Sequence, residues 1–234
     1  MGFGFCLEVW GPLACFTRPE MKVERVSYDV ITPSAARAIY SAILWKPAIL
    51  WRIDRIDVLE PIRWINIRRN EVGAVGGEAP IVASENRVQR AALMLRDVRY
   101  RLHAHFAFIP PERRPKVFAE APEWLRPDDP VFSREAGPDE KAAKYAAMFA
   151  RRAEKGQCFI RPYLGCRECA AEFRLVRDPA AEPRQPIAET RDLGFMLYDL
   201  DFSDPKDPQP MFYHARMENG SIRVPPPDSE EVKR

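Results

Sequence analysis

Residues 98–108 alternate in polarity up to Phe106. Val98, Tyr100, Leu102, Ala104, Phe106 and Phe108 are apolar, while Arg99, Arg101, His103 and His105 stand between them. Successive side chains on a strand point to opposite faces, so this run sets six apolar groups on one face and four basic or titratable groups on the other. Such a strand is stable only inside a sheet that has one face covered by an apolar layer. The chain must therefore supply further strands and something amphipathic to lay over them.

Both are legible. Between Gly4 and Trp10, Phe5, Leu7 and Val9 alternate with Cys6, Glu8 and Trp10, which predicts a first strand. Thr32 followed by Pro33 is an N-cap with proline at the first helical position, and helix-favouring residues run from Ala35 to Trp45 until Pro47 stops them. Ala48 to Leu59 reads as a strand whose apolar parity slips between Ile53 and Ile56, as at a bulge, and Ile62 to Val72 as an arginine-bearing strand after it. Asp139 to Lys155 has helical composition, with Asp139 as N-cap and Gly156 as the stop; Lys144, Met148, Arg151 and Lys155 fall on one stripe of it. Short strands are expected at Gln157–Arg161, Glu172–Val176 and Phe195–Leu200. Asn219-Gly220 is a hairpin turn between Met211–Met217 and Ser221–Val224. Met1–Gly2 and Asp228–Arg234 read as frayed ends. Strands and helices mix without regular βαβα alternation, so the expected class is α+β with helices on one sheet face, the ferredoxin-like arrangement being one solution.

A chain of 234 residues that is 46% hydrophobic can bury the core of one large domain or two compact lobes. Its 23 prolines, dense after Ile109 and after Val224, predict long loops. No apolar run approaches the ~18 residues of a membrane span, and Met1–Trp10 has no basic start. Five cysteines, an odd number at irregular spacing, point to reduced thiols and a cytoplasmic address. With 36 basic residues against 34 acidic ones the net charge is only +2, so placement of the arginines carries the information. No phosphate-loop or dinucleotide fingerprint is present, which leaves nucleotide hydrolysis and hydride transfer unsupported.

Lys46 beside Pro47, and Arg68-Arg69 just before Gly73, Gly76 and Gly77, put cations next to pliable backbone, as a phosphate requires. The plainer reading keeps Trp45 in the core, Lys46 in solvent and the glycines in a turn. Cys166-Arg167-Glu168-Cys169 has the spacing of half a zinc site or of a redox pair, and no second half accompanies it, so no metal site is assigned. His103, His105 and His214 are scattered outside any nucleophile motif; the first two suit RNA contact or an ordinary polar face.

Five ordered blocks are distinctive: ILWKPAI at 43–49, RRNEV at 68–72, RVQRAALMLRDVRY at 87–100, the segment from Lys144 to Glu168, and DLGFMLYDLDF at 192–202. Together they resemble the CRISPR-associated Cas protein 5 family in its subtype I-C form, within the repeat-associated mysterious protein superfamily. The resemblance implies a ferredoxin-like, RRM-like N-terminal domain over 1–155, with a long insertion and a helix, then a smaller β-rich part over 156–234. It implies a metal-independent, cofactor-free endoribonuclease that binds the CRISPR repeat hairpin and cuts precursor CRISPR RNA. The enzyme would then stay on the 5′ handle in a type I-C antiviral surveillance complex. Implied partners are the CRISPR RNA, the backbone Cas protein 7, the large Cas protein 8 and target DNA near the complex.

In that chemistry a 2′-hydroxyl attacks the adjacent phosphorus and leaves a 2′,3′-cyclic phosphate and a 5′-hydroxyl. A proton must be removed, an anionic phosphorane stabilised and the leaving oxygen protonated. The resemblance points to Lys144, Tyr145 and Tyr40 for these roles. Relatives carry a tyrosine before the Trp-Lys-Pro turn and a Lys-His pair on the later helix. Here Leu44 takes the first place, with Tyr40 one helical turn earlier, and Lys144-Tyr145 takes the second. An ordinary phenol, titrating at about 10, is a weaker base at neutral pH than imidazole. A structural subunit that caps the 5′ handle with little or no catalysis is therefore the alternative. For binding, the resemblance offers Trp45, Lys46, Arg68, Arg69, Arg87, Arg90, Arg151, Arg152, Arg161 and Arg167, with Trp45 and Phe159 able to stack on bases or to sit in the core.

Overall fold

The computed structural model describes residues 4–21, 23–74, 76, 77, 79–110, 114, 141–204 and 206–234. Among them are ten strands and two helices: β1 Gly4–Ala14, β2 Arg25–Val26, α1 Pro33–Ile43, β3 Ile49–Val58, β4 Trp64–Val72, β5 Arg87–Phe108, α2 Ala142–Glu154, β6 Glu172–Val176, β7 Arg191–Asp201, β8 Gln209–Glu218, β9 Ser221–Arg223 and β10 Val232–Lys233. Along the main path of the sheet the order is β10-β8-β9-β3-β5-β1-β6, with β2 and β4 on β5 and β7 on β8. β1, α1, β3, β5, α2 and β6 give a β-α-β-β-α-β unit with all four strands antiparallel, which is the ferredoxin-like arrangement.

The central alternating run is the C-terminal half of β5. It is flanked on one side by β1, with Leu7 opposite Leu102, and on the other by β3, with Ile56 opposite Leu102. Its apolar face is covered by both helices. Phe149 of α2 is fully buried, with its ring 4.6 Å from that of Trp51, 4.8 Å from Phe5 and 5.4 Å from Tyr40 of α1. Each fully buried ring of this kind contributes about 1.5–3 kcal/mol, so this cluster fixes helix against sheet. α1 starts as expected, because the Thr32 hydroxyl accepts from the Ala35 backbone N–H at 3.2 Å, a cap worth ~1 kcal/mol. The expected bulge in β3 is present as a register shift between Ile53 and Arg55. Asn219 and Gly220 turn the β8–β9 hairpin with φ of 47° and 74°, the left-handed pair such a two-residue turn needs.

Several expectations change. β5 is a single strand of 22 residues whose N-terminal half pairs with β4, and Asp97, at φ 53°, marks the changeover between partners. α2 is shorter than expected and is preceded by Lys141; Asp139 lies outside the described residues. Gln157–Arg161 is no strand, since the backbone N–H groups of Phe159 and Ile160 are spent on α1. β6 pairs with β1 from Cys6 to Trp10, so the ferredoxin-like unit continues past residue 155 to Val176, and the β-rich addition is β7 to β10. Val232–Lys233, expected to fray, pairs with β8.

Candidate nucleic-acid interface

A helix ends with carbonyls that have no partner inside it, and something must satisfy them. At α1 that task falls to the segment leaving α2. The Ala42 carbonyl accepts from the Phe159 and Ile160 backbone N–H groups at 2.8 and 3.2 Å, and the Ile43 carbonyl accepts from the Arg152 guanidinium at 3.1 Å. The Leu44 carbonyl accepts from the Trp51 indole at 2.9 Å. The guanidinium also suits the negative end of the α1 dipole. These bonds bring residues 159–161 alongside the turn that begins at Trp45.

Large apolar side chains are left in solvent there. Trp45 is 50% exposed, Phe159 79% and Ile160 58%. An aromatic ring exposed this far forgoes most of the ~1.5–3 kcal/mol that burial would bring, and clustering of such groups marks a binding surface. Cations stand on the same and adjoining segments. Lys46 is half-buried in the same turn, Arg151 and Lys155 are exposed on the last turns of α2, and Arg161 is exposed and paired with Glu172. Aromatic faces among cations can hold a polyanion's backbone while its bases stack.

Lys144 and Tyr145 lie in the first turn of α2. Lys144 is exposed; the Tyr145 ring is buried and sits 6.1 Å from that of Phe108, which ends β5. Phe108 opposes Ile49, and the Ile109 N–H donates to the Ala48 carbonyl at 2.8 Å. The Trp45–Ala48 turn and the start of α2 therefore converge on the same end of β5. Helical rise separates Lys144 from Lys155 by about 16 Å, so the cationic stripe spans the length of α2.

Tyr40 departs from its expected role. It is fully buried, its hydroxyl donating to the Leu102 carbonyl at 2.7 Å with the Phe5 carbonyl at 3.2 Å, and burial holds its pKa well above that of a free phenol. A core phenol tied to two strand carbonyls has no path to a substrate.

The remaining arginines form a second group around the β4–β5 hairpin. Arg69 pairs with Glu71 at 2.6 Å and with Glu168 at 3.1 Å, and Arg90 lies 3.6 Å from Glu71. Arg25 joins the same two carboxylates at 3.8 and 3.0 Å. These ions tie the hairpin to the 157–171 segment and are largely spent on each other. Arg68, Arg87 and Arg167 are exposed, and among the described residues no carboxylate pairs with them. The sequence-predicted binding residues thus fall into two groups joined by residues 157–171. Reading the sequence missed Ile160 and Arg25. The apolar Phe159-Ile160 pair standing between Gly156 and Arg161 was the available signal for the first; nothing local marked the second.

The basic face of the sheet is taken up largely by its own ion pairs. Arg99 and Arg174 both bind Glu8, which is buried, and the Arg101 guanidinium donates to the Arg184 carbonyl at 2.8 Å. His103 lies 2.8 Å from Asp57 and His105 2.9 Å from Asp54. Burial raises the Asp57 pKa, but hydrogen bonds from His103 and Ser221 and the charge of Arg55 outweigh it, so the carboxyl ends below its usual range. Among the described residues, no group of three His, Cys, Asp or Glu side chains is placed to hold a metal ion, and no helix is long and apolar enough to cross a membrane.

Comparison with known proteins agrees with this architecture. A CRISPR-associated protein (Cas_Cas5) family model, Cas5d, matches residues 4–126 and 131–225. The CRISPR pre-crRNA endoribonuclease Cas5d of Mannheimia succiniciproducens is 46% identical, over 97% of each chain, and that of Thermus thermophilus is 37% identical, over 97% of this chain and 94% of its own. Among solved structures, a CRISPR-associated protein superposes with a TM-score of 0.68 at 22% identity, covering 100% of this chain and 97% of its own. A functionally uncharacterized Streptococcus mutans protein superposes at 0.65 and 23% identity, covering 100% and 98%. With the family model matched over most of its length and relatives aligned from end to end, the chain belongs to the Cas5d family of CRISPR-associated proteins.

Proposed function

We propose that the chain is an endoribonuclease that binds the repeat hairpin of precursor CRISPR RNA, cuts it without a metal ion and keeps hold of the 5′ handle. The observation that carries this reading is the exposed Trp45–Phe159 surface, set among Lys46, Arg151 and Lys155, in a chain 46% identical to a protein named a pre-crRNA endoribonuclease. Single-stranded RNA stacks its unpaired bases on such rings while cations follow its phosphates. Lys144, exposed at the far end of the stripe, stabilises the phosphorane that forms when the 2′-hydroxyl attacks, and Tyr145 beside it supplies or accepts a proton. Cas proteins 7 and 8 of the type I-C complex, and target DNA held near it, are the partners this reading assigns.

The burial of Tyr40 favours a second reading, in which the same surface only caps the handle. With no phenol available at the Trp-Lys-Pro turn, acid–base work rests on Lys144 and Tyr145 alone. Incubating the protein with its cognate repeat RNA in EDTA decides between the two. Products ending in a 2′,3′-cyclic phosphate establish the first, and tight binding with uncut RNA establishes the second.

A further inference from the structure

Outside the RNA surface, three cysteines meet where the end of β1 touches the 157–171 segment. The Cys15 N–H donates to the Leu164 carbonyl at 3.0 Å, and the Cys166 thiol points back at the Cys15 carbonyl at 3.5 Å. Between them, Gly165 sits at φ 86°, and a Cβ there would meet the Cys15 carbonyl oxygen at 2.1 Å. Only glycine allows the turn to press this closely onto Cys15. The Cys166 side chain is consequently held against the Cys15 backbone. The Arg25 guanidinium lies 3.3 Å from the Cys166 sulfur, and Thr17 is 3.5 Å from the Cys15 sulfur and 3.9 Å from that of Cys166. Cys15 is fully buried, whereas Cys166 is partly open to solvent.

From this arrangement we infer that Cys166 is a peroxide-reactive thiol and Cys15 its resolving partner, which together close a reversible disulfide between β1 and the 157–171 segment. In the first step the Cys166 thiolate attacks one oxygen of hydrogen peroxide or an alkyl hydroperoxide. The S–O bond forms, the O–O bond breaks, and the departing hydroxide or alkoxide takes up a proton; sulfur is oxidised by two electrons and the peroxide reduced. In the second, the Cys15 sulfur attacks the Cys166 sulfenic acid. The S–S bond forms, the S–O bond breaks, and the hydroxyl leaves as water with the Cys15 proton.

The electrostatics match these roles. Interaction with the Cys15 side chain lowers the Cys166 pKa most, burial opposes it, and the Arg25 charge 3.3 Å from the sulfur adds to the lowering, so the thiol is held below its ordinary range. Cys15 is pushed the other way, first by the Cys166 side chain beside it and then by burial, so it stays a thiol until its neighbour is oxidised. Burial pushes Cys169, three residues on, up to about 12, which keeps it protonated and unreactive. Arg25 also holds Glu168, so forming the disulfide removes the thiolate from a guanidinium that helps tie this segment to the β4–β5 hairpin.

Alkylation of the full-length protein by iodoacetamide, followed peptide by peptide, tests the first half. Cys166 is expected to react with an inflection below the ordinary thiol range and at pH 7 at least about tenfold faster than Cys158, the other partly exposed cysteine. Arg25→Ala, or the milder Arg25→Lys, moves the inflection upward. Peroxide treatment then tests the second. Peptide mapping is expected to show one Cys15–Cys166 disulfide reversed by dithiothreitol, and Cys15→Ser to stop at a sulfenic acid on Cys166 trapped by dimedone. Equal alkylation of Cys158 and Cys166, or a Cys166–Cys169 disulfide, or no disulfide at all, overturns the assignment. None of these readouts depends on RNA cleavage.

Discussion

At the scale of single residues, two side chains that look alike on paper as catalytic candidates behave oppositely. Lys144 is exposed in the first turn of α2. Lys144→Ala is expected to slow single-turnover cleavage of the repeat by about 100- to 1,000-fold, the usual loss when one donor to an anionic transition state goes. RNA affinity should change only a few-fold. An unchanged cleavage rate would remove Lys144 from the mechanism. Tyr40 is a structural residue. Tyr40→Phe strips the donor from two buried strand carbonyls and should cost about 1–3 kcal/mol in chemical denaturation, while the folded fraction cuts RNA at the original rate. The sequence could not separate the two, because a tyrosine one turn before a Trp-Lys-Pro turn has the same spacing whether its hydroxyl faces solvent or the sheet.

At the scale of elements, what could be read was whatever local chemistry decides. Thr32-Pro33 fixed the start of α1, the parity slip fixed the β3 bulge, and Asn219-Gly220 fixed a hairpin, each through a few adjacent residues. What could not be read depends on distant backbone. Phe159 and Ile160 read as part of a short strand over Gln157–Arg161, yet their N–H groups cap α1 at Ala42, and no local pattern encodes a partner so remote in sequence. β5 likewise extends well upstream of its alternating half because β4 pairs with it there, over residues such as Gln89 and Ala91 that carry little strand preference. The capping bonds use the Phe159 backbone, which leaves its ring free for a ligand. Phe159→Ala should therefore weaken repeat RNA binding by about 5- to 150-fold, the worth of one base–aromatic stack, without lowering the melting temperature. A large drop in melting temperature would show instead that the ring supports the cap.

For the whole molecule, the decisive feature is which face of the sheet is available. A ferredoxin-like sheet has one face under its helices and one open. Here the open face is occupied by its own ion pairs and by the 184–187 stretch, which binds Arg101 through the Arg184 carbonyl and Val58 through the Ile187 N–H. The proposed RNA path is therefore the rim where the ends of α1 and α2 meet, together with the exposed cations of α2. Salt dependence distinguishes the two routes, because each phosphate contact on single-stranded RNA contributes about 0.7 to the slope of log affinity against log salt. Replacing Arg151 and Lys155 together by alanine should reduce that slope by about 1.4, since both are exposed and placed along the proposed path. Arg99→Ala should leave the slope unchanged and lower stability, because it takes one of two guanidinium partners from buried Glu8. A slope that falls in the Arg99 variant but holds in the double variant would place the RNA on the sheet, through ion pairs that would have to open to receive it.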